Sequence, residues 1–160
     1  MHIPDKISKW IRAKNWTLHE HQIRMFKSSE CSSQLLIAPT GSGKTLAGFL
    51  PTIADLYLNP SQKLHTLYIS PLKALASDIK RNLETPIKEL ELKISVEDRT
   101  GDTKQSIKKK QRVIPPNILL TTPESLALLM SYPEAPSIFS SLKRIIAVSY
   151  THLRAHETPL

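Results

Sequence analysis

Apolar positions recur along the chain in two alternating rhythms. Residues 5–28 place Ile7, Trp10 and Ile11, then Ile23, Met25 and Phe26, at helical spacing. Gln34 to Ile37 is a short apolar run, expected as a buried strand, and it leads into Pro39-Thr40-Gly41-Ser42-Gly43, a stretch no regular element accommodates. From Lys44 onward, Leu46, Phe49, Leu50, Ile53 and Tyr57 fall on one helical face, with Pro51 among them at the cost of a backbone hydrogen bond. A strand is expected over Thr66 to Ser70 and a helix from Leu72 to about Leu83, which Pro86 should end before a short helix to Leu92. Ile94 and Val96 alternate as a further strand ahead of a turn at Gly101-Asp102. A helix follows over Lys104 to Arg112, then a strand over Asn117 to Leu120. Pro123, suited to a first helical position, opens a helix to Met130, and Ile145 to Val148 is the last strand. Strands that alternate with helices predict an α/β fold: a mostly parallel sheet flanked by helices.

Length and charge narrow that picture. The 160 residues suffice for one domain with a core and are too few for two. No run approaches the roughly 18 apolar residues of a membrane-spanning helix. The start, Met1-His2-Ile3-Pro4-Asp5-Lys6, lacks the layout of a secretory signal. The single cysteine, Cys31, cannot form an internal disulfide and is expected as a small buried residue, consistent with a reducing cytoplasm. The net charge of +8 favours polyanionic partners. The densest basic cluster, Lys104 to Arg112, reads first as a solvated helix face.

Ala38-Pro39-Thr40-Gly41-Ser42-Gly43-Lys44-Thr45 carries the clearest chemistry. Gly41 and Gly43 permit backbone angles that turn successive amides inward, a cradle for phosphate oxygens. The helix beginning at Lys44 aims its positive end at the same point. In this pattern Lys44 reaches the β and γ phosphates and the Thr45 hydroxyl ligates Mg²⁺, so the site is expected to take a nucleoside triphosphate with its metal.

The alanine-led wording resembles superfamily 2 DEAD/DEAH-box helicases, and the likeness continues. Leu67-Tyr68-Ile69-Ser70-Pro71-Leu72-Lys73-Ala74-Leu75 is similar to their second motif, and Arg99-Thr100-Gly101-Asp102-Thr103 and Thr121-Thr122-Pro123-Glu124-Ser125-Leu126 to the next two. Trp16 through His21-Gln22 resembles their adenine-sensing segment. The wording is most similar to the large helicase-related type, in particular the bacterial DNA ligase-associated DEXH-box helicases. The resemblance implies an incomplete RecA-like P-loop NTPase domain over 31–148, preceded by a helical segment over 1–30. It gives Gln22 the adenine, Pro39 to Thr45 the phosphates, and Ser70, Pro71, Leu72, Lys73, Ala74, Gly101, Asp102, Thr122, Pro123 and Glu124 the nucleic acid. It implies an ATP-driven, 3′ to 5′ DNA helicase or translocase in bacterial DNA repair, in the company of a DNA ligase and a nuclease and away from membranes.

The residues themselves suit these roles. The Gln22 amide both donates and accepts, as an adenine edge requires. Ser70 to Lys73 and Thr122 to Glu124 lie where strands end and helices begin, the edge at which open α/β sheets bind ligands. Simple capping is the alternative for Thr122 and Glu124, and plain packing the expectation for Trp10 and Trp16.

The pattern breaks after Val148. Asp-Glu-x-His should follow, and the chain instead reads Ser149-Tyr150-Thr151-His152. Serine lacks the charge for Mg²⁺, and tyrosine is no base at neutral pH. The tail over 149–160 resembles translated sequencing-adaptor DNA, and His152 and His156 do not complete a zinc site. The 160-residue chain alone is therefore expected to show no ATP hydrolysis. The rival reading is a non-catalytic nucleic-acid-binding module.

Overall fold

The structure is a computed structural model that describes residues 2–29, 33–38 and 43–148. Its elements run α1 (Asp5–Ala13), α2 (Glu20–Lys27), α3 (Lys44–Leu58), β1 (Thr66–Ile69), α4 (Lys73–Glu89), β2 (Val96–Arg99), α5 (Gln105–Val113), β3 (Ile118–Thr121), α6 (Pro123–Met130), α7 (Ala135–Phe139) and β4 (Arg144–Ala147). The strands form one parallel sheet in the order β2-β3-β1-β4. Thr66 is level with Ile118 on one side and with Arg144 on the other.

Side chains alternate across each strand, so the sheet fills two cores. Tyr68, Ile118 and Leu120 face α1, α3 and α4, where they meet Ile7, Ile11, Phe49, Leu50, Ile53, Ile79 and Leu83. Leu67 and Leu119 face the other way, toward Leu129 of α6 and Ile138 of α7. The expected α/β layering, with helices on both faces of a parallel sheet, is what the chain forms.

Four local expectations differ. The helix expected over 5–28 is two helices, because Asn15 takes the left-handed conformation (φ 55°) that asparagine tolerates, and Trp16 to His19 then continue without helical structure. Pro86 does not end its helix: α4 continues to Glu89 with the proline ring buried beside Leu83 and Ile87, whose burial outweighs one lost backbone bond. Gln34 to Ile37 forms no strand, and Leu35 and Ile37 are each 86% exposed. A strand is a hydrogen-bonded ladder, and the segment pairs with no strand among the described residues. The short α7 has no predicted counterpart. Cys31 and the tail from Ser149 lie outside the described residues.

A buried polar chain sets the direction of α3. Arg144 Nη1 donates to Thr52 Oγ1 (3.1 Å), which is 3.0 Å from Thr66 Oγ1. Thr66 Oγ1 is 2.8 Å from His65 Nδ1, and His65 Nε2 is 2.7 Å from Asp55 Oδ2. The carboxylate only accepts, so Nε2 carries the imidazole proton, and each hydroxyl then donates toward the histidine. Burial holds the His65 pKa below its ordinary value despite Asp55. Burial works against the Asp55 carboxylate too, but hydrogen bonds from His65 and Asn59 hold its pKa low. Thr52 thus sits level with the amino end of β1, Phe49 packs on Tyr68 (5.6 Å between ring centroids), and Gly48 lies beside Ile146 of β4. Read in that order, α3 runs against the strands, and its first residue, Lys44, points to their carboxyl edge.

Candidate nucleotide and nucleic-acid site

Three of the four strands are followed directly by a helix or turn that the sequence singles out: Lys73 after β1, Gly101-Asp102 after β2 and Thr122-Pro123-Glu124 after β3. Together with Lys44, these positions share the carboxyl edge of the sheet.

The phosphate loop is described from Gly43 onward, and Pro39, Thr40, Gly41 and Ser42 lie outside the described residues. Gly43 is left-handed (φ 74°), a conformation that favours glycine, and a Cβ there would collide with the Gln22 amide nitrogen. It is also the N-cap of α3 and offers no side-chain cap, so among the described residues no side chain caps the first turn, the kind of helix start that can take an anion. Lys44 is exposed, and its Nζ donates to the Ala38 carbonyl at 2.6 Å. Thr45 sits half-buried in the same turn.

Gln22 is brought against this loop. It is 3% exposed; its Nε2 donates to the Gly43 carbonyl (3.0 Å) and its Oε1 accepts from the His19 backbone N–H (2.8 Å). The residue predicted to sense adenine therefore also clasps the last glycine of the phosphate loop. Sequence reasoning gave no sign of that contact, since nothing in a glutamine's neighbours indicates that a loop 21 positions later folds onto it. Trp10 and Trp16 pack edge-to-face (centroids 5.4 Å apart), and Trp10 Nε1 donates to Glu89 Oε2 at 2.6 Å, so Trp10 joins α1 to α4.

The nucleic-acid candidates divide by exposure. Ser70 is buried and its Oγ accepts the Leu72 N–H at 3.3 Å, while Pro71, Leu72, Lys73 and Ala74 are exposed. Thr122 is buried and caps α6 through the Ser125 N–H (3.5 Å) and hydroxyl (3.2 Å), while Pro123 and Glu124 are exposed. The two hydroxyls shape the turns, and the residues after them form the surface. Gly101 and Asp102 are exposed, and Lys73 Nζ lies 2.9 Å from Asp102 Oδ1, so two motifs 29 positions apart meet. A Cβ on Gly101 would sit 3.2 Å from the Lys73 ammonium, so glycine leaves room for the lysine.

Arg99 has a role its motif did not reveal. It is 2% exposed and donates to the Lys108 carbonyl (2.9 Å) and to Gln111 Oε1 (3.2 Å). Gln111 Nε2 in turn donates to Glu97 Oε2 at 2.9 Å, so these side chains fasten α5 to the edge strand. In the basic cluster, Lys110 lies 3.7 Å from Glu97, and Arg112 stacks on Tyr132 and lies 3.6 Å from Glu134. Part of that charge is thus used inside the fold.

Among the described residues no cluster of three or more His, Cys, Asp or Glu could hold an ion, and Thr45 alone matches the expected Mg²⁺ pattern. Ser149 and Tyr150, at the positions of the missing acids, lie outside the described residues. No described helix is long and apolar enough to cross a membrane.

The chain is similar to known helicases. The DEAD/DEAH box helicase family profile matches residues 19–147. The Lhr helicase/probable uracil glycosylase of Mycolicibacterium smegmatis is 42% identical over 146 residues, which are 80% of this chain and 10% of that protein. The ATP-dependent helicase Lhr-Core of Methanocaldococcus jannaschii is 38% identical over 158 residues, 88% of this chain and 18% of the relative. Among solved structures, Mycobacterium smegmatis Lhr bound to single-stranded DNA and AMP-PNP superposes with a TM-score of 0.82 at 35% identity, covering 91% of this chain and 20% of that one. The helicase MrfA bound to DNA and AMPPNP gives 0.80 at 31%, with 91% and 20% covered. The chain spans about a fifth or less of the length of these relatives.

Proposed function

The chain belongs to the DEAD/DEAH box helicase family, and on that premise we propose that it is part of an ATP-dependent DNA helicase or translocase. The observation that carries this reading is the shared edge: the uncapped first turn of α3, clasped by Gln22, faces the same way as Lys73, Asp102 and Glu124. A motor couples nucleotide to strand, and its grip must ignore base identity. Backbone amides, a lysine and helix starts supply that kind of grip, because they address phosphates rather than base edges.

Each residue then has a step. Lys44 gives up the Ala38 carbonyl and places its charge on the β and γ phosphates, while the Gly43 turn and the first amides of α3 surround their oxygens. Gln22 has committed one N–H and one lone pair, and the second of each reads the adenine edge. Because the same side chain holds the Gly43 carbonyl, base recognition and phosphate-loop position are linked. Thr45 would hold Mg²⁺, which supplies charge neutralisation when bound. The carboxylates that activate water follow β4 in the family's pattern and are not at Ser149 and Tyr150, so the chain alone is expected to bind nucleotide weakly at best and not to turn it over. By resemblance, the full-length protein moves 3′ to 5′, works in the bacterial cytoplasm in DNA repair, and acts beside a DNA ligase and a nuclease.

The grip is tested by titrating fluorescein-labelled oligonucleotides of differing sequence. Affinities within about threefold of one another, falling with salt, are expected of a phosphate-directed surface. A preference of about 10³ or more for one sequence, the range of a base-reading module, would overturn the proposal.

A further inference from the structure

Asp102 is a carboxylate in the middle of a surface proposed to hold phosphates. A fixed negative charge there opposes binding, so its presence calls for a reason. The turn it occupies is held by others: the Thr100 N–H donates to Thr103 Oγ1 (3.0 Å), and the Asp102 N–H to Thr100 Oγ1 (3.3 Å). The neighbouring Asp98 pairs with Lys80 and accepts from Thr103. The Asp102 carboxylate bonds only Lys73 among the described residues, and its side chain is 78% exposed.

Lys73 is equally conspicuous. It is the first residue of α4, where the helix dipole disfavours a cation, and α4 has neither an acidic residue in its first turn nor a side-chain cap on it. The ammonium and the open amides make a corner that attracts an anion, and Gly101 keeps the space above it clear. In the structure the anion in that corner is Asp102.

We propose that Asp102 is a built-in stand-in for the nucleic-acid phosphate, an internal competitor that Lys73 must release before it can take the strand. The inference rests on the nucleic-acid face proposed above. It gives Asp102 a role opposite to a contact: the carboxylate keeps the empty site neutral and weakens unproductive grip, and a phosphate displaces it. Strand binding then exchanges one anion for another at Lys73. The counterion released from the phosphate is offset by one taken up at the freed carboxylate.

Fluorescence anisotropy of a labelled oligothymidylate, with salt varied, tests this on the full chain using Asp102→Asn, Lys73→Ala and the double variant. Both side chains are exposed, and unchanged thermal unfolding of the variants checks that the fold is kept. Asp102→Asn is expected to tighten binding about two- to fivefold at low salt, the range of an exposed ion pair. It should also steepen the logarithmic salt slope by about 0.7, one added counterion on a single strand. Lys73→Ala should weaken binding, and in its background Asp102→Asn should gain little. Weaker binding by Asp102→Asn overturns the proposal, since that marks a carboxylate that contacts the strand. So does an unchanged affinity, or an equal gain with and without Lys73, which marks general repulsion. If Lys73→Ala leaves binding unaltered, or no form of the chain binds, the nucleic-acid face itself fails, and this inference with it.

Discussion

Replacing Lys44 with alanine is expected to remove most triphosphate binding and leave the fold intact. The lysine is exposed, and among the described residues its ammonium bonds only the Ala38 carbonyl, so the empty protein loses little. The bound state loses a charge-assisted contact to phosphate of about 1.5–3 kcal/mol, or roughly 10- to 150-fold in affinity. Titration of a fluorescent ATP analogue into the chain reads this directly. In the full-length protein the loss falls also on the transition state, where removing one charge-stabilising donor costs about 10²–10³ in turnover. An affinity within about threefold of wild type would mean that the loop before α3 holds something other than a triphosphate.

The second large effect is on stability. Phe49→Ala is expected to destabilise the chain by about 3–5 kcal/mol, the range for removing a buried phenylalanine. Phe49 is 1% exposed and lies in the main core against Tyr68, at the point where α3 crosses the sheet. A whole domain holds only about 5–15 kcal/mol, so this one change takes a large share. Its reach extends to function, because α3 is the rod that presents Gly43 and Lys44 at the carboxyl edge. Urea denaturation followed by circular dichroism measures it, and a loss below about 1 kcal/mol would show that α3 is not seated on the sheet as described.

How much of this the sequence disclosed depends on how local each signal is. Helical and alternating periodicity, together with proline at the start of α6, are properties of a few neighbouring residues, and they located α3, β1, α5, β3, α6 and β4 to within a residue or two. The strand at Gln34 to Ile37 failed because an apolar run shows that a segment is fit for a ladder, not that a partner strand lies beside it. The helix over 5–28 failed at Asn15, where a single left-handed residue outweighs favourable spacing on both sides. Pro86 was read by its backbone chemistry alone, whereas burial of its ring decided the outcome.

The site followed the same division. Gly43, Lys44 and Thr45 could be nominated from sequence because the candidate phosphate loop is contiguous. Its earlier part, Pro39 to Ser42, lies outside the described residues. The contacts that join motifs were not legible: Gln22 on Gly43, Lys73 on Asp102 and Arg99 under α5 each depend on how separate elements pack, which no run of neighbouring residues records. Exposure also sorted what spacing could not, setting Ser70 and Thr122 inside their turns and leaving Lys73, Asp102 and Glu124 on the surface.

The most direct test of the account is phosphate release from ATP by the full-length protein, measured with and without single-stranded DNA. Turnover that rises on addition of DNA, with none from the 160-residue chain alone, is the predicted result. Turnover indifferent to nucleic acid, or release by the isolated chain, would contradict it.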